Sequence, residues 1–419
     1  CFFHLVAVYS RNGMKGFMQS EDIQSIRLLD GAFGTNFYPD YNCFREQYVL
    51  DHRAEAISLL SAYVRAGADA IYTPTFSANR PMLSQFGAGD QVAFYNRQLA
   101  ELTIEAADGE AELGGCISQT GLRLAPEGDC SMEQMIDIFR EQAAALRDAG
   151  VDFFVIETMQ YLGEMRAALL ACKQCCDLPV FITVTVDEEG RTAGGSSALC
   201  CLAVLQSMGA DAFGLNCCAG PDGMADLIRE LWRYAKVPLI AKPSAGLLGE
   251  LSPEVFASYA HALMEAGADM LGGCCGTTPK HLAALRRAMS AARLAGYTRI
   301  EQDEDAILAA TEFDALLIAP TIDIPEAIPV TEDLAEDILT AEEEQSGALK
   351  LRLEHAEDID TFIENAYMLK DPLCIDAVNP GLFDRFALEY HGRALFDHVG
   401  DLDIDEISGI IDQYGIIVL

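Results

Sequence analysis

The sequence predicts a (β/α)8 TIM barrel followed by a smaller acidic α/β region. Three observations carry this prediction. Short apolar runs alternate with helical patterns eight times within about 270 residues, the size and rhythm of such a barrel. Four echoes, Ala66-Gly67-Ala68-Asp69, Ala149-Gly150-Val151-Asp152, Gly209-Ala210-Asp211 and Ala266-Gly267-Ala268-Asp269, each close a helix and open a strand. Gly is the residue expected just past a helix end. The residues just past each of these strands are polar or reactive: Thr75-Phe76-Ser77, Glu157-Thr158, Asn216-Cys217 and Cys274-Cys275. In a barrel all of these strand ends lie on one rim, where active sites are built.

Taken in order, Ile26-Arg27-Leu28-Leu29-Asp30 reads as the first strand and Gly31-Ala32-Phe33-Gly34-Thr35 as its turn. Ala54 to Ala66 is a helix pattern, and Ala68 to Ser77 is a strand running into a loop. Asp90 to Ala107 is helical and Leu113 to Ser118 a strand. Ser131 to Ala149 is helical, with Ser131 as N-cap and Gln134 three residues on, the pattern of a capping box. Val151 to Glu157 is a buried strand, Leu162 to Cys176 a helix, Val180 to Val186 a strand and Ser197 to Met208 a helix. Ala210 to Asn216 is a strand leading into Cys217, and Gly223 to Ala235 is helical. Pro238 to Lys242 is a strand, Ser252-Pro253-Glu254 starts a helix that runs to Ala266, and Met270 to Cys274 is the eighth strand. His281 to Ala292 is the last helix of the series.

Composition narrows the function. The formal net charge is −37, which repels phosphate backbones and argues against nucleic acid. No apolar run approaches the roughly 20 residues of a membrane span, so no membrane partner is expected. Much of the cysteine lies in vicinal pairs inside helix-like and strand-like runs, unlike a small disulfide scaffold. A reduced, cytoplasmic protein is expected. Residues 1–20 read as an extension upstream of a start at Met14 or Met18.

Strands six and eight are separated by one strand, so Cys217, Cys274 and Cys275 can converge on the rim. Three thiolates suit Zn2+, and three protein ligands leave a position open, as in catalytic zinc sites. A thiol substrate there would lose its proton and remain a nucleophile. An empty cysteine-rich rim and an iron–sulfur site are the alternatives, the latter without a fourth cysteine at matched spacing. Cys218 is expected to pack, and His281 sits in the following helix.

These residues resemble the zinc-dependent homocysteine S-methyltransferases. The resemblance runs from about Leu28 to Leu285 and rests on Leu29-Asp30-Gly31-Ala32-Phe33-Gly34-Thr35, Thr75-Phe76-Ser77-Ala78-Asn79, Ile156-Glu157-Thr158-Met159, Gly214-Leu215-Asn216-Cys217 and Gly272-Gly273-Cys274-Cys275-Gly276-Thr277-Thr278-Pro279. It implies zinc on Cys217, Cys274 and Cys275, and homocysteine bound through its sulfur. It implies that Asp30, Gly31, Thr75 and Glu157 hold the amino-acid end, and Asn216 is grouped with them as substrate-binding. A rim carboxylate such as Glu157 is a natural partner for an ammonium group. No catalytic residue beyond the metal site is implied. Ser118-Gln119-Thr120-Gly121 departs from the pattern, since similar proteins usually have Gly in place of Gln119. The function expected is methyl transfer to homocysteine, giving methionine. The donor would be a methylated sulfonium, a quaternary amine, a methylfolate or a methyl-corrinoid on a partner. A non-catalytic zinc- or thiol-binding regulatory protein is the alternative.

The expected division is a barrel over 21–298, an acidic linker over 299–347 and a partial pterin-binding-like α/β region over 348–419. Residues 301–419 hold 30 acidic and 5 basic residues. Pro372-Leu373-Cys374-Ile375-Asp376 and Gly392-Arg393-Ala394-Leu395 resemble the start of the pterin-binding barrel of cobalamin-dependent methionine synthases, with Asp397-His398 where that family usually has Asn-Ser. The barrel is expected to fold and hold zinc without this region.

Overall fold

A computed structural model of the chain describes residues 26–40, 43–218, 220–246, 249–343 and 347–419. The expected N-terminal extension lies outside the described residues. Eight parallel strands form one sheet: β1 Arg27–Leu28, β2 Ala70–Tyr72, β3 Glu112–Ile117, β4 Phe153–Met159, β5 Val180–Val184, β6 Ala212–Asn216, β7 Leu239–Lys242 and β8 Ala268–Leu271. Their order runs β1-β8-β7-β6-β5-β4-β3-β2. The ring closes where Leu29 bridges Ala70 and the Asp69 N–H donates to the Leu28 carbonyl at 2.7 Å. This is the (β/α)8 barrel that the strand rhythm predicts, with the expected helices outside. The capping box at Ser131 forms, Ser131 and Gln134 each bonding the other's backbone N–H.

The four echoes have a structural reason. Gly67, Gly150, Gly209 and Gly267 all take positive φ, from 90° to 125°, ending their helices. The aspartate after each one reaches back to the preceding strand. Asp69 accepts from the Leu28 N–H at 2.7 Å, Asp152 from Leu113 at 2.9 Å, Asp211 from Val180 at 2.8 Å and Asp269 from Leu239 at 2.9 Å. Each carboxylate thus satisfies a backbone donor that would otherwise be left at a strand start. Three are also paired outward, Asp69 with Arg286, Asp211 with Lys173 and Asp269 with Arg299, at 2.7–2.8 Å. All four ties lie at the N-terminal rim, opposite the polar strand ends.

The barrel interior is filled by side chains from several strands, among them Leu29, Tyr72, Phe153, Phe181, Ile240 and Met270. β8 is shorter than the sequence suggests, because the chain leaves the ladder at Gly272. There the backbone passes so close to β1 that a Cβ would lie 2.9 Å from the Asp30 carbonyl. The Gly273 N–H donates to that same carbonyl at 3.0 Å.

The C-terminal region is an open parallel sheet, β11 Ile328–Pro329, β12 Leu349–Leu353, β13 Leu373–Ala377, β14 Leu395–Phe396 and β15 Ile417–Val418, in sequence order. The stretch expected as an acidic linker holds a short helix, Leu334–Glu343. It also carries an antiparallel hairpin, β9 Ile307–Ala310 with β10 Ala315–Ile318. Ala309 and Ile318 of the hairpin cover Cys374, Leu395 and Ile417 on one face of the sheet. The region packs on the barrel rather than hanging from it. Arg166, 1% exposed, donates to the carbonyls of Ala387 at 2.6 Å and Leu388 at 3.0 Å. Among the described residues no helix is long and apolar enough to cross a membrane.

Candidate metal centre

Two strand ends and one loop build the thiol cluster. β6 stops at Asn216, and Cys217 takes φ of 57°, which swings it off the strand direction. Past β8 the chain turns through Cys274 and Cys275 to Gly276, whose φ is 75°. The segment after β7 holds both ends in place. Lys242 accepts from the Cys217 N–H at 3.3 Å, Pro243 accepts from Cys274 at 2.9 Å, and Ala245 donates to the Cys275 carbonyl at 2.8 Å.

The result is convergence of Cys217, Cys274 and Cys275, whose sulfurs all lie within 4.8 Å of one another. Cys217 Sγ and Cys275 Sγ are 3.3 Å apart. Three sulfurs bound tetrahedrally to one zinc ion would stand about 3.8 Å apart, from bonds of about 2.3 Å. The cluster therefore fits a metal ion with only small side-chain adjustment. Its protons are unevenly held. Hydrogen bonds from the Cys274 and Cys275 thiols pull the Cys217 pKa down to about 3. The same bonds push Cys274 well up and Cys275 up to about 11. Cys218 turns away and packs, donating to the Asn216 carbonyl at 3.4 Å. His281 bonds Thr278 and the Leu251 carbonyl and takes no part in the cluster.

A cavity of about 200 Å3 opens on the three cysteines. Asp30, Gly31, Glu157 and Lys242 line it, with Phe33, Tyr38 and Phe76 as an aromatic wall. Gly31 is required here, since a Cβ would meet the Tyr63 ring at 2.8 Å. Glu157 keeps its side chain 16% exposed, and burial raises its pKa against the pull of Lys242. Thr75 is not brought to the cavity. Its hydroxyl donates to the Cys116 carbonyl at 2.7 Å and shares a 2.7 Å bond with Thr73, so it braces the loop from behind. Asn216 is also buried and does not line the cavity. Its amide donates to Thr158 Oγ1 at 2.7 Å and accepts from the Thr158 N–H at 3.1 Å, which holds Thr158 at φ of 60°. The same amide points Nδ2 at Cys274 Sγ, 3.8 Å away. Gln119, where the sequence departs from the family pattern, donates to the Thr158 carbonyl at 2.7 Å and supports the same turn. Sequence reasoning missed Lys242, whose one signal was a lone charge ending the apolar run Leu239-Ile240-Ala241.

Residues 27–289 match the family model described as homocysteine S-methyltransferase. The chain belongs to that family. Two methionine synthases are among its relatives. The one from Mycobacterium tuberculosis is 31% identical over 294 residues, and the one from Mycobacterium leprae is 32% identical over 290. Each alignment covers 62% of this chain and 24% of the relative, so the chain spans about a quarter of these proteins' length. The homocysteine methyltransferase MmuM from Escherichia coli, in its oxidised form, superposes with a TM-score of 0.55 at 24% identity. Its metallated form does so with a TM-score of 0.53. Both comparisons cover 64% of this chain and 97% of that one, and they show the shared barrel fold. The homocysteine S-methyltransferase part of the chain is therefore the barrel, and the matched span contains every cysteine of the cluster.

Proposed function

We propose that this chain transfers a methyl group to the thiol of homocysteine, giving methionine, and holds zinc through Cys217, Cys274 and Cys275. The observation that carries the reading is the meeting of three thiols with a largely buried carboxylate, Glu157, around one small cavity. When bound, zinc would supply a Lewis acid with an open position, lowering the pKa of a substrate thiol while leaving it nucleophilic. Glu157 accepts hydrogen bonds from the substrate ammonium. Asn216 donates toward Cys274 Sγ and restrains the charge on that sulfur. Phe33, Tyr38 and Phe76 exclude water from the reacting end. The substrate sulfur then forms a bond to the methyl carbon, and the bond from methyl to donor breaks with its electron pair leaving on the donor. Positioning carries the rest, with no separate general base.

The donor is a methylated sulfonium, a quaternary amine, a methylfolate or a methyl-corrinoid on a partner. The pterin-like strand ends of the C-terminal region are already paired. Lys350 donates to both oxygens of Asp397 at 2.7 and 2.9 Å, and Arg352 to Asp376 at 2.6 Å. This supports a donor delivered from outside these strand ends, with residues 348–419 serving a partner. Free rim thiols suit a reducing compartment, which we take as the cytoplasm. The test is to load the protein with zinc, add homocysteine and each donor class in turn, and measure methionine. Turnover with one class is expected. Zinc and homocysteine binding without turnover from any donor would favour a regulatory thiol-binding protein instead.

A further inference from the structure

Lys242 is a buried cation with two carboxylates to choose from. Its side chain is 3% exposed, and its Nζ lies 3.8 Å from the centre of the Tyr72 ring. It donates to Asp30 Oδ1 at 2.9 Å but stands 3.7 Å from Glu157 Oε2. The second oxygen of Asp30 is also taken, accepting from the Tyr72 N–H at 2.8 Å. Among the described residues Glu157 has only a weak partner at its other oxygen, the Cys116 thiol at 3.5 Å. One cation cannot sit equally close to both carboxylates, and the geometry leaves Glu157 the less engaged of the two. A ligand ammonium entering the cavity meets a committed Asp30 and an available Glu157.

We propose that Lys242 is a positioning residue: by engaging Asp30 it makes Glu157 the acceptor of the substrate ammonium and so fixes where the amino-acid end sits relative to the three cysteines. The inference rests on the homocysteine reading above. It departs from the expectation that Asp30 holds the amino-acid end together with Glu157. Without Lys242, Asp30 would be an unpaired buried carboxylate beside the same cavity and would compete for the ammonium.

A double-mutant cycle on the zinc-loaded protein tests this, reading homocysteine affinity by calorimetry with 4-mercaptobutanoate, which lacks the amino group, as control. In the native background Glu157→Gln is expected to cost about 10- to 150-fold in homocysteine affinity, the range for a hydrogen bond to a charged group. In a Lys242→Met background the same change is expected to cost under roughly threefold, because Asp30 then takes over, and such coupling is what the cycle isolates. Zinc content and 4-mercaptobutanoate affinity stay level throughout. Equal losses in the two backgrounds overturn the role of Lys242. Should Lys242→Met not fold, Lys242→Gln removes the positive charge that commits Asp30 and is read in the same way. Native protein that binds homocysteine no better than 4-mercaptobutanoate overturns the homocysteine reading itself, whatever the cycle gives.

Discussion

Zinc uptake by the three cysteines should release close to two protons at neutral pH. The perturbation is pH itself. In the metal-free cluster, hydrogen bonds from its neighbours hold Cys217 down at about 3, while Cys275 is pushed up to about 11 and Cys274 rises with it. With Cys217 lowered and its two neighbours raised, the trio is expected to carry one negative charge and two protons at neutral pH. Metal binding needs all three as thiolates, so protons compete with zinc and affinity falls as pH falls. Two protons per ion means an apparent affinity that changes about 100-fold per pH unit, or about 2.7 kcal/mol. Competition against a chromogenic chelator over roughly pH 6.5 to 8, corrected for the chelator's own protonation, reads this slope directly. Calorimetry in buffers of different ionisation enthalpy gives the proton count independently. A slope near three would show that no thiol is ionised beforehand. A slope near zero would remove the cysteines as ligands.

Three further outcomes are expected. Native protein should hold about one zinc per chain, and Cys274→Ala or Cys275→Ala should lose it; undiminished metal by elemental analysis would refute the ligand set. Asp211→Ala should cost about 1–3 kcal/mol in urea unfolding, because the buried Val180 N–H loses its acceptor, with homocysteine affinity unchanged. A chain ending near Arg299 should aggregate, against the expectation drawn from sequence, since Arg166 loses its acceptors at Ala387 and Leu388. The helix Ala198–Ser207 would also lose the cover of the hairpin, whose Thr311 carbonyl lies 3.5 Å from Cys200 Sγ. A soluble truncated protein with full zinc content would refute this.

Legibility followed the range of the interactions. The barrel could be read because its punctuation is local: glycine, then aspartate, then an apolar run. The thiol cluster could be read because each cysteine sits at a strand end, and strand ends share a rim. Lys242 could not, because its partner Asp30 lies 212 residues away and a lysine ending a strand looks like a surface charge. Resemblance assigns Thr75 to the substrate, and nothing in its neighbours reveals that its hydroxyl turns to Cys116 on the next strand. The hairpin was hidden by its flanks. Ile307-Leu308-Ala309-Ala310 and Ala315-Leu316-Leu317-Ile318 are short and sit among acidic residues, and their turn is set by Thr311 accepting from the Asp314 N–H at 3.1 Å.

The aspartate ties carry a consequence for the order of assembly. They join β1 to β2, β3 to β4, β5 to β6 and β7 to β8, across sequence separations of 41, 39, 31 and 30 residues. Each tie closes a loop within one βαβ unit, a modest entropic demand, so each quarter of the ring can be clamped without the others. The working face has no such independence. Cys217 meets Cys275 across quarters, and Lys242 meets Asp30 only when the last quarter returns to the first. A partly folded chain can hold all four clamps and still have no site, so the amides of Leu28, Leu113, Val180 and Leu239 should gain protection from hydrogen exchange before the chain gains any affinity for metal.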